Sequence, residues 1–431
     1  MPAPRSRLSR LWVDISPLRE FPAYRRLWIG DLVASGGSQF AAVALPYQVY
    51  RQTGSSLQVG LIGLAALGPL LVGSLASGVI ADAFDRKRLL LASQSTSAAG
   101  CLLLAFLAAS GHTPLAFLYL LAALLAFASS VESPVRNAVI PNLVGLARVP
   151  STAALNQIVD QTSQIAGPAV AGVLLAAFGI TVTYVVAAAG FAIAVLVALG
   201  LPALLPAGGT VAPGWSSLMD GLRFARHQPA LLGTFLVDLN AMVFGMPRAL
   251  FPALAATTFY VGPEGLGLLY AAPAVGALLA AVSSGWVLHV RRQGAAVMLS
   301  VVVWGGSIAA FGLMPGGLFW AALGLLAVAG AADVISAVFR NTIMQQVTPD
   351  RMRGRMASLH IAVVTSGPRL GDAESGVVAS LTSVRFSVVS GGLICIAGAG
   401  LMQLLLPALS RYQRPAALGG AMAVPPVEEG A

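Results

Sequence analysis

Charge is the scarcest commodity in this sequence. Only 10% of its 431 residues are Asp, Glu, Lys or Arg, whereas a soluble domain carries about 25%. So little charge cannot cover a globule of this size in water. The two cysteines, Cys101 and Cys395, fall inside apolar stretches, which excludes a disulfide framework and reads as two small buried hydrophobes. The four histidines, His112, His227, His289 and His360, are scattered, and the acidic pair Asp372-Ala373-Glu374 sits mid-span beside Arg369, so neither a metal site nor a membrane-embedded enzyme has its constellation. The phosphate loop Gly-x-x-x-x-Gly-Lys-(Ser/Thr) is absent, which argues against ATP drive within this chain. No cofactor is expected. No apolar core with a small-residue cleavage site precedes Tyr24; the first residues read as a basic cytoplasmic tail rather than a signal peptide.

What is present is apolar. Hydrophobic residues make up 57% of the chain. They recur in windows of about 20, each long enough to cross a hydrocarbon core of about 30 Å. Backbone groups in lipid must be satisfied within the segment, so the windows read as helices. Twelve spans are expected, at 25–50, 57–81, 87–110, 115–136, 152–178, 181–204, 229–256, 264–289, 294–315, 318–342, 355–381 and 386–409. Turn residues separate them, as at Thr53-Gly54, Gly111 to Pro114, Gly179, Gly262-Pro263 and Pro315-Gly316-Gly317. The domain reading is a cytoplasmic tail at 1–24, a six-helix bundle at 25–205, a cytoplasmic linker at 206–228, a second six-helix bundle at 229–409 and a disordered tail at 410–431. The net charge of +9 is not gathered on one segment, which argues against a nucleic-acid partner. Of 25 basic residues, 21 fall on one set of alternate loops and two, Arg51 and Arg385, on the other; Arg248 and Arg369 lie inside spans. That bias places both termini and the linker in the cytoplasm of a cell whose inner membrane the chain crosses.

The two halves repeat. Asp31-Leu32 matches Asp238-Leu239 and Ser77-Gly78 matches Ser284-Gly285, both at an offset of 207; Arg136-Asn137 matches Arg340-Asn341 at 204, and Gly167-Pro168 matches Gly367-Pro368 at 200. Parallel six-helix repeats suit a transporter that rocks about a site held between them near the midplane.

The loop after the second span runs GVIADAFDRKR from Gly78 to Arg88. It resembles the signature loop of the major facilitator superfamily, Gly-x-x-x-Asp-(Arg/Lys)-x-Gly-Arg-(Arg/Lys). Gly78, Asp82, Arg86 and Lys87 match; Ala83 and Asp85 depart. The fifth span runs SQIAGPAVAG from Ser163 to Gly172 and resembles the packing motif of the superfamily's drug:proton antiporters through Gly167, Pro168 and Gly172. The stretches VALPYQVY from Val43, PVRN from Pro134 and TPDRMRGR from Thr348 resemble the enterobactin-exporter branch and its macrolide-efflux relatives. The resemblance implies an all-α membrane protein of twelve transmembrane helices in two pseudo-symmetric bundles. It implies secondary export of a small molecule, siderophore or drug-like, by proton antiport, from a protein acting as a monomer with substrate, protons and the bilayer as partners. It further implies a cytoplasmic latch of Gly78, Asp82, Arg86, Lys87 and Glu132. Uptake of a nutrient by the same fold remains the other transport reading.

Ionisable groups inside spans are costly and mark either helix-to-helix pairs or a water-filled route. Here they are Asp31, Asp160, Asp238, Arg248, Asp333, Arg369, Asp372 and Glu374. Candidates for proton and substrate coupling are Asp31, Asp238, Asp333 and Asp372, with Arg369 spaced to pair with Asp372. The charge bias makes a direct prediction. Reporters active only in the cytoplasm should work when fused after Arg88, Arg226 or Arg292 and stay silent near Gly111 or Gly316; strong signal at Gly111 would break the twelve-span reading.

Overall fold

Lipid leaves no solvent for an unpaired peptide group, and the chain answers with helix along almost its whole length. The computed structural model describes residues 14–111, 113–202 and 215–413. The first half contains α1 (Ser16–Glu20), α2 (Pro22–Thr53), α3 (Ser56–Ala83), α4 (Arg86–Ala109), α5 (Leu115–Val144) and α6 (Val149–Leu199). The 51-residue α6 bends at Gly179, whose φ of 80° a side chain would resist, and so makes two passages. Helix α7 (Trp215–Arg226) leads to the second half: α8 (Pro229–Phe244), α9 (Phe251–Thr257), α10 (Pro263–Val282), α11 (Gln293–Leu313), α12 (Phe319–Val347), α13 (Arg353–Leu381), α14 (Val384–Leu405) and α15 (Pro407–Ser410).

Among the described residues, nine helical segments are long and apolar enough to cross a membrane, with both parts of α6 counted as one and α8–α9 as one. Two more long helices, α2 and α13, are less apolar: α2 carries Asp31 and a run of Gly, Ser and Gln at 35–39, and α13 carries Arg369, Asp372 and Glu374. Separating the two parts of α6 and adding α2 and α13 gives a count of twelve passages.

Three details differ from the sequence reading. The tail carries α1, and α2 begins at Pro22, because Pro17 and Pro22 each sit at a helix start, where a missing N–H costs nothing. The linker carries α7, whose Gly221 lies against the Arg355 carbonyl of α13. The seventh span is broken between α8 and α9. Residues 1–13 of the expected tail, 203–205 at the end of the first bundle, 206–214 of the linker and 414–431 of the expected disordered end lie outside the described residues.

Large apolar side chains on the outside fit a lipid surround. Phe106, Leu120, Leu196, Leu299 and Leu404 are each more than 60% exposed, a surface that in water would aggregate. Cys101 and Cys395 are fully buried free thiols, as their apolar setting suggested.

Polar contacts between helix ends define two faces. On one, Arg26 donates to the Gly200 carbonyl at 2.8 Å and Lys87 to the Leu199 and Leu201 carbonyls at 2.8 and 2.7 Å. Arg148 reaches Glu20 at 2.8 Å, and Asp220 of α7 meets Arg355 at 3.3 Å. This is the basic face. Cations there meet the unpaired carbonyls that end α6. On the opposite face Tyr184 donates to Gln48 at 2.8 Å and Arg385 to the Leu313 carbonyl at 2.7 Å.

The halves meet along α3 against α13 and α6 against α10. Both crossings are made of glycine. A methyl on Gly376 would stand 2.8 Å from the Ser56 carbonyl, and one on Gly267 only 3.1 Å from the Gly172 Cα. Further toward the basic face, Gly73 and Gly276 pack against their own half. The halves therefore converge at the opposite face and part toward the basic one. Gly172→Leu or Gly267→Leu should open this seal, lowering thermal stability by about 1–3 kcal/mol through overpacking. A cysteine placed at Ser38 should then react faster with an impermeant thiol reagent added on the opposite face. Unchanged melting and unchanged labelling would remove these glycines from the seal.

Candidate functional site

Between the halves lies a cavity of about 420 Å³. Bends in the helices shape it. Pro46 of α2, Pro168 of α6 and Pro368 of α13 all line it, each removing one helical hydrogen bond and letting its helix lean. The sharpest interruption is the Gly245-Met246-Pro247 step between α8 and α9, followed by the short 3-10 turn Arg248–Leu250. Broken backbone at this depth survives only where protein or cavity water satisfies it. Here Trp304 Nε1 donates to the Gly245 carbonyl at 2.8 Å, and the Tyr270 hydroxyl donates to the Arg248 carbonyl at 3.2 Å. The break turns the Arg248 side chain to the cavity, where it joins Arg369 and Asp372 of α13. Arg369 and Asp372 thus share one wall, although no hydrogen bond or salt bridge joins them. A smaller cavity of about 100 Å³ beside Arg248 is lined by Asp333 of α12.

The other intramembrane charges form two pairs that repeat the symmetry of the chain. Asp31 of α2 is ion-paired with Arg136 of α5, and Asp238 of α8 with Arg340 of α12. Arg340 also reaches Asp333 at 3.7 Å. Asp31 takes a further hydrogen bond from Ser35 at 3.3 Å and feels the negative charge of Asp160. The aspartate side chains are 2% and 3% exposed; Arg340 is 7% exposed and Arg136 16%. Arg136 and Arg340, counted as loop cations from the sequence, are therefore inward-facing helix residues. The signal for them was present, since each arginine repeats at nearly the same offset as the aspartate that it meets.

The signature loop holds the basic ends of the first half together. Asp85, which departs from the family pattern, caps α4 by accepting from the Lys87 N–H at 2.9 Å. Arg86 donates to the Ala138 carbonyl of α5 at 3.0 Å. The side chain of Asp82 lies outside what the structure describes, so the acidic member of the loop is placed only by its backbone, in the last turn of α3. Glu132 is buried, and Gln94 of α4 donates to it at 3.0 Å. It faces the interior of the first half. In the packing motif, Gly167 meets Gln39 of α2, Gly172 meets α10 in the other half, and the Pro168 carbonyl receives Gly267.

Residues 13–427 match the family described as transmembrane secretion effector, of the major facilitator type. The chain belongs to the major facilitator superfamily. It is 32% identical over 422 residues to the enterobactin exporter EntS of Citrobacter koseri, covering 97% of this chain and 98% of that one. The Escherichia coli EntS is likewise 32% identical over 410 residues, covering 93% and 96%. The fold is shared with solved transporters of low identity. A bacterial homologue of the lysosomal transporter Spinster superposes with a TM-score of 0.73 at 13% identity, covering 94% of this chain and 100% of that one. The nucleoside transporter NupG gives 0.71 at 15%, covering 90% and 98%. This superfamily member is a multi-pass membrane transporter and not an enzyme.

The ion pairs set an order of costs. Arg136→Gln leaves Asp31 buried without its partner, which costs about 3–5 kcal/mol. Asp31→Asn leaves only the more exposed Arg136 unpaired and should cost less. The double variant Asp31→Asn/Arg136→Gln should melt closer to the wild type than Arg136→Gln alone. A double variant as unstable as the single one would show that the pair is not the source of the loss.

Proposed function

We propose that this chain exports a small organic molecule, of the siderophore or drug-like class, across the cytoplasmic membrane by alternating access coupled to proton antiport. One observation carries the reading: a cavity between the halves, closed by glycine crossings at one face. Whole-length similarity to enterobactin exporters supports export and the siderophore class. The basic face is cytoplasmic on this reading, in line with the charge bias, so the cavity takes its cargo from inside the cell. The signature loop, with Gly78, Asp82, Arg86, Lys87 and Glu132, is the latch that closes when the halves come together on that face.

Protons enter through the paired carboxylates. A proton on Asp31 would cancel its attraction for Arg136, which lines a cavity of about 290 Å³ together with Ser35, Glu132 and, from the second half, Arg369. Freed Arg136 then changes the field along the route. Asp238 occupies the matching place in the second half, and Asp333 and Asp372 follow as carriers.

Cells carrying the gene should accumulate less enterobactin, or less of an exported antibiotic, than cells without it. A protonophore should abolish the difference while ATP remains available. In liposomes, Asp31→Asn should bind substrate but release no protons upon transport. Proton movement at wild-type rates in both Asp31→Asn and Asp238→Asn would pass the coupling role to Asp333 and Asp372. Export that survives the protonophore would overturn proton antiport itself.

A further inference from the structure

Arg248 and Arg369 are the two basic residues that the sequence reading placed inside spans, and both reach the same cavity. Neither guanidinium has a hydrogen bond or salt bridge among the described residues, in contrast to Arg136 and Arg340. A single carboxylate, Asp372, lines that cavity with them. Of the acids in the adjoining cavities, Glu132 beside Arg369 is held by Gln94, and Asp333 beside Arg248 is shared with Arg340 at 3.7 Å. Asp372 feels the charge of both arginines and Asp333 that of Arg248, but no carboxylate pairs directly with either guanidinium, so both forks keep their donors open to the cavity. A guanidinium within the membrane is costly to keep without a counter-ion. Its planar fork of donors suits a carboxylate or another oxyanion better than a point charge does.

The surroundings add shape. Tyr270 and Phe251 meet edge to face beside Arg248, with ring centroids 5.0 Å apart. Val59 and Ile62 give the facing wall an apolar surface. The volume of about 420 Å³ lies within the range of sites for drug-sized ligands. We infer that Arg248 and Arg369 form an anion clamp that receives an acidic group of the transported molecule, with Asp372 as the resident counter-ion that this group displaces. The transported class is then organic acids with a ring or other apolar body. The inference rests on the cavity being the transport site; it is independent of the direction of transport and of proton coupling.

The test is binding to the purified full-length chain, read as a shift in thermal unfolding, with 2-naphthoate and its neutral isostere 2-naphthamide as probes. Naphthoate should raise the melting temperature and naphthamide should not. Arg248→Gln/Arg369→Gln should lose the preference for the acid. Asp372→Asn keeps both arginines and removes their competitor, so it should bind naphthoate about tenfold more tightly, the scale of one charge-assisted hydrogen bond. Equal shifts with acid and amide would overturn the clamp. So would an acid preference that survives in the double glutamine variant, or no response to the acid in either the wild type or Asp372→Asn. A failed export assay with a positive acid-selective shift would remove the export reading and leave the clamp standing.

Discussion

Taking a carboxylate out of water without a partner costs several kcal/mol, and this molecule meets that constraint twice in the same way. Asp31 and Asp238 are almost wholly buried, and each is held by an arginine on the fourth helix of its own half. The pairs fasten α2 to α5 and α8 to α12. Because a broken pair would leave charge stranded, each half resists internal shear. Between the halves the contact is of another kind. Glycines approach carbonyls and Cα atoms along α3 with α13 and α6 with α10. Such seams have good packing but little directional bonding, so they can part and re-form without leaving strongly polar groups exposed. Stiff halves joined by a glycine seam are the mechanical requirement for rocking.

The interruption of the seventh span follows from the same economy of polar groups. A straight helix would have hidden the backbone around Gly245 and turned Arg248 elsewhere. Gly245, Pro247 and Pro252 make the straight path unfavourable. Trp304 and Tyr270 then accept the consequence by donating to the freed carbonyls. Sequence and packing agree on a break at this depth, and the break is what delivers a cation to the cavity.

Much of this was legible in the sequence. Apolar windows and Gly or Pro punctuation placed most span ends within a few residues, because lipid imposes one strong rule on composition; α5 runs on to Val144 past the expected end at 136, and α10 stops at Val282 short of the expected 289. The repeat identified Asp31 with Asp238 and Arg136 with Arg340. What could not be read was which aspartate meets which arginine, since α2 and α5 are far apart in sequence and their facing surfaces are set only by packing. Arg136 and Arg340 looked like loop residues because they lie near the ends of apolar windows; continued helix through Pro134 and Pro141 in α5 carries Arg136 inward instead. Pro134 falls inside a long, otherwise well-formed helix, where a local rule that treats proline as an end misleads. The bond from Gln94 of α4 to Glu132 of α5 could not be read from the sequence either, because it joins two helices whose facing sides only packing sets.

The repeat also separates two kinds of charge. Asp31, Asp238, Arg136 and Arg340 occur in both copies, so the reason for them must be something that both halves need, and helix-to-helix pairing is such a reason. Arg369 and Asp372 have no such counterparts. At the offset of 200 that relates Gly167-Pro168 to Gly367-Pro368, the first half has Ala169 and Gly172. At the offset of 206 that relates Pro46 to Pro252, the place of Arg248 is taken by Ala42. Ala42 lines the same cavity from the facing wall. The first half therefore presents small side chains where the second presents charge. A fold that needed these charges for its architecture would place them in both halves, as it does the ion pairs. Their restriction to one wall makes the cavity asymmetric, and an asymmetric cavity can hold a molecule with one acidic end and one apolar end in a single orientation.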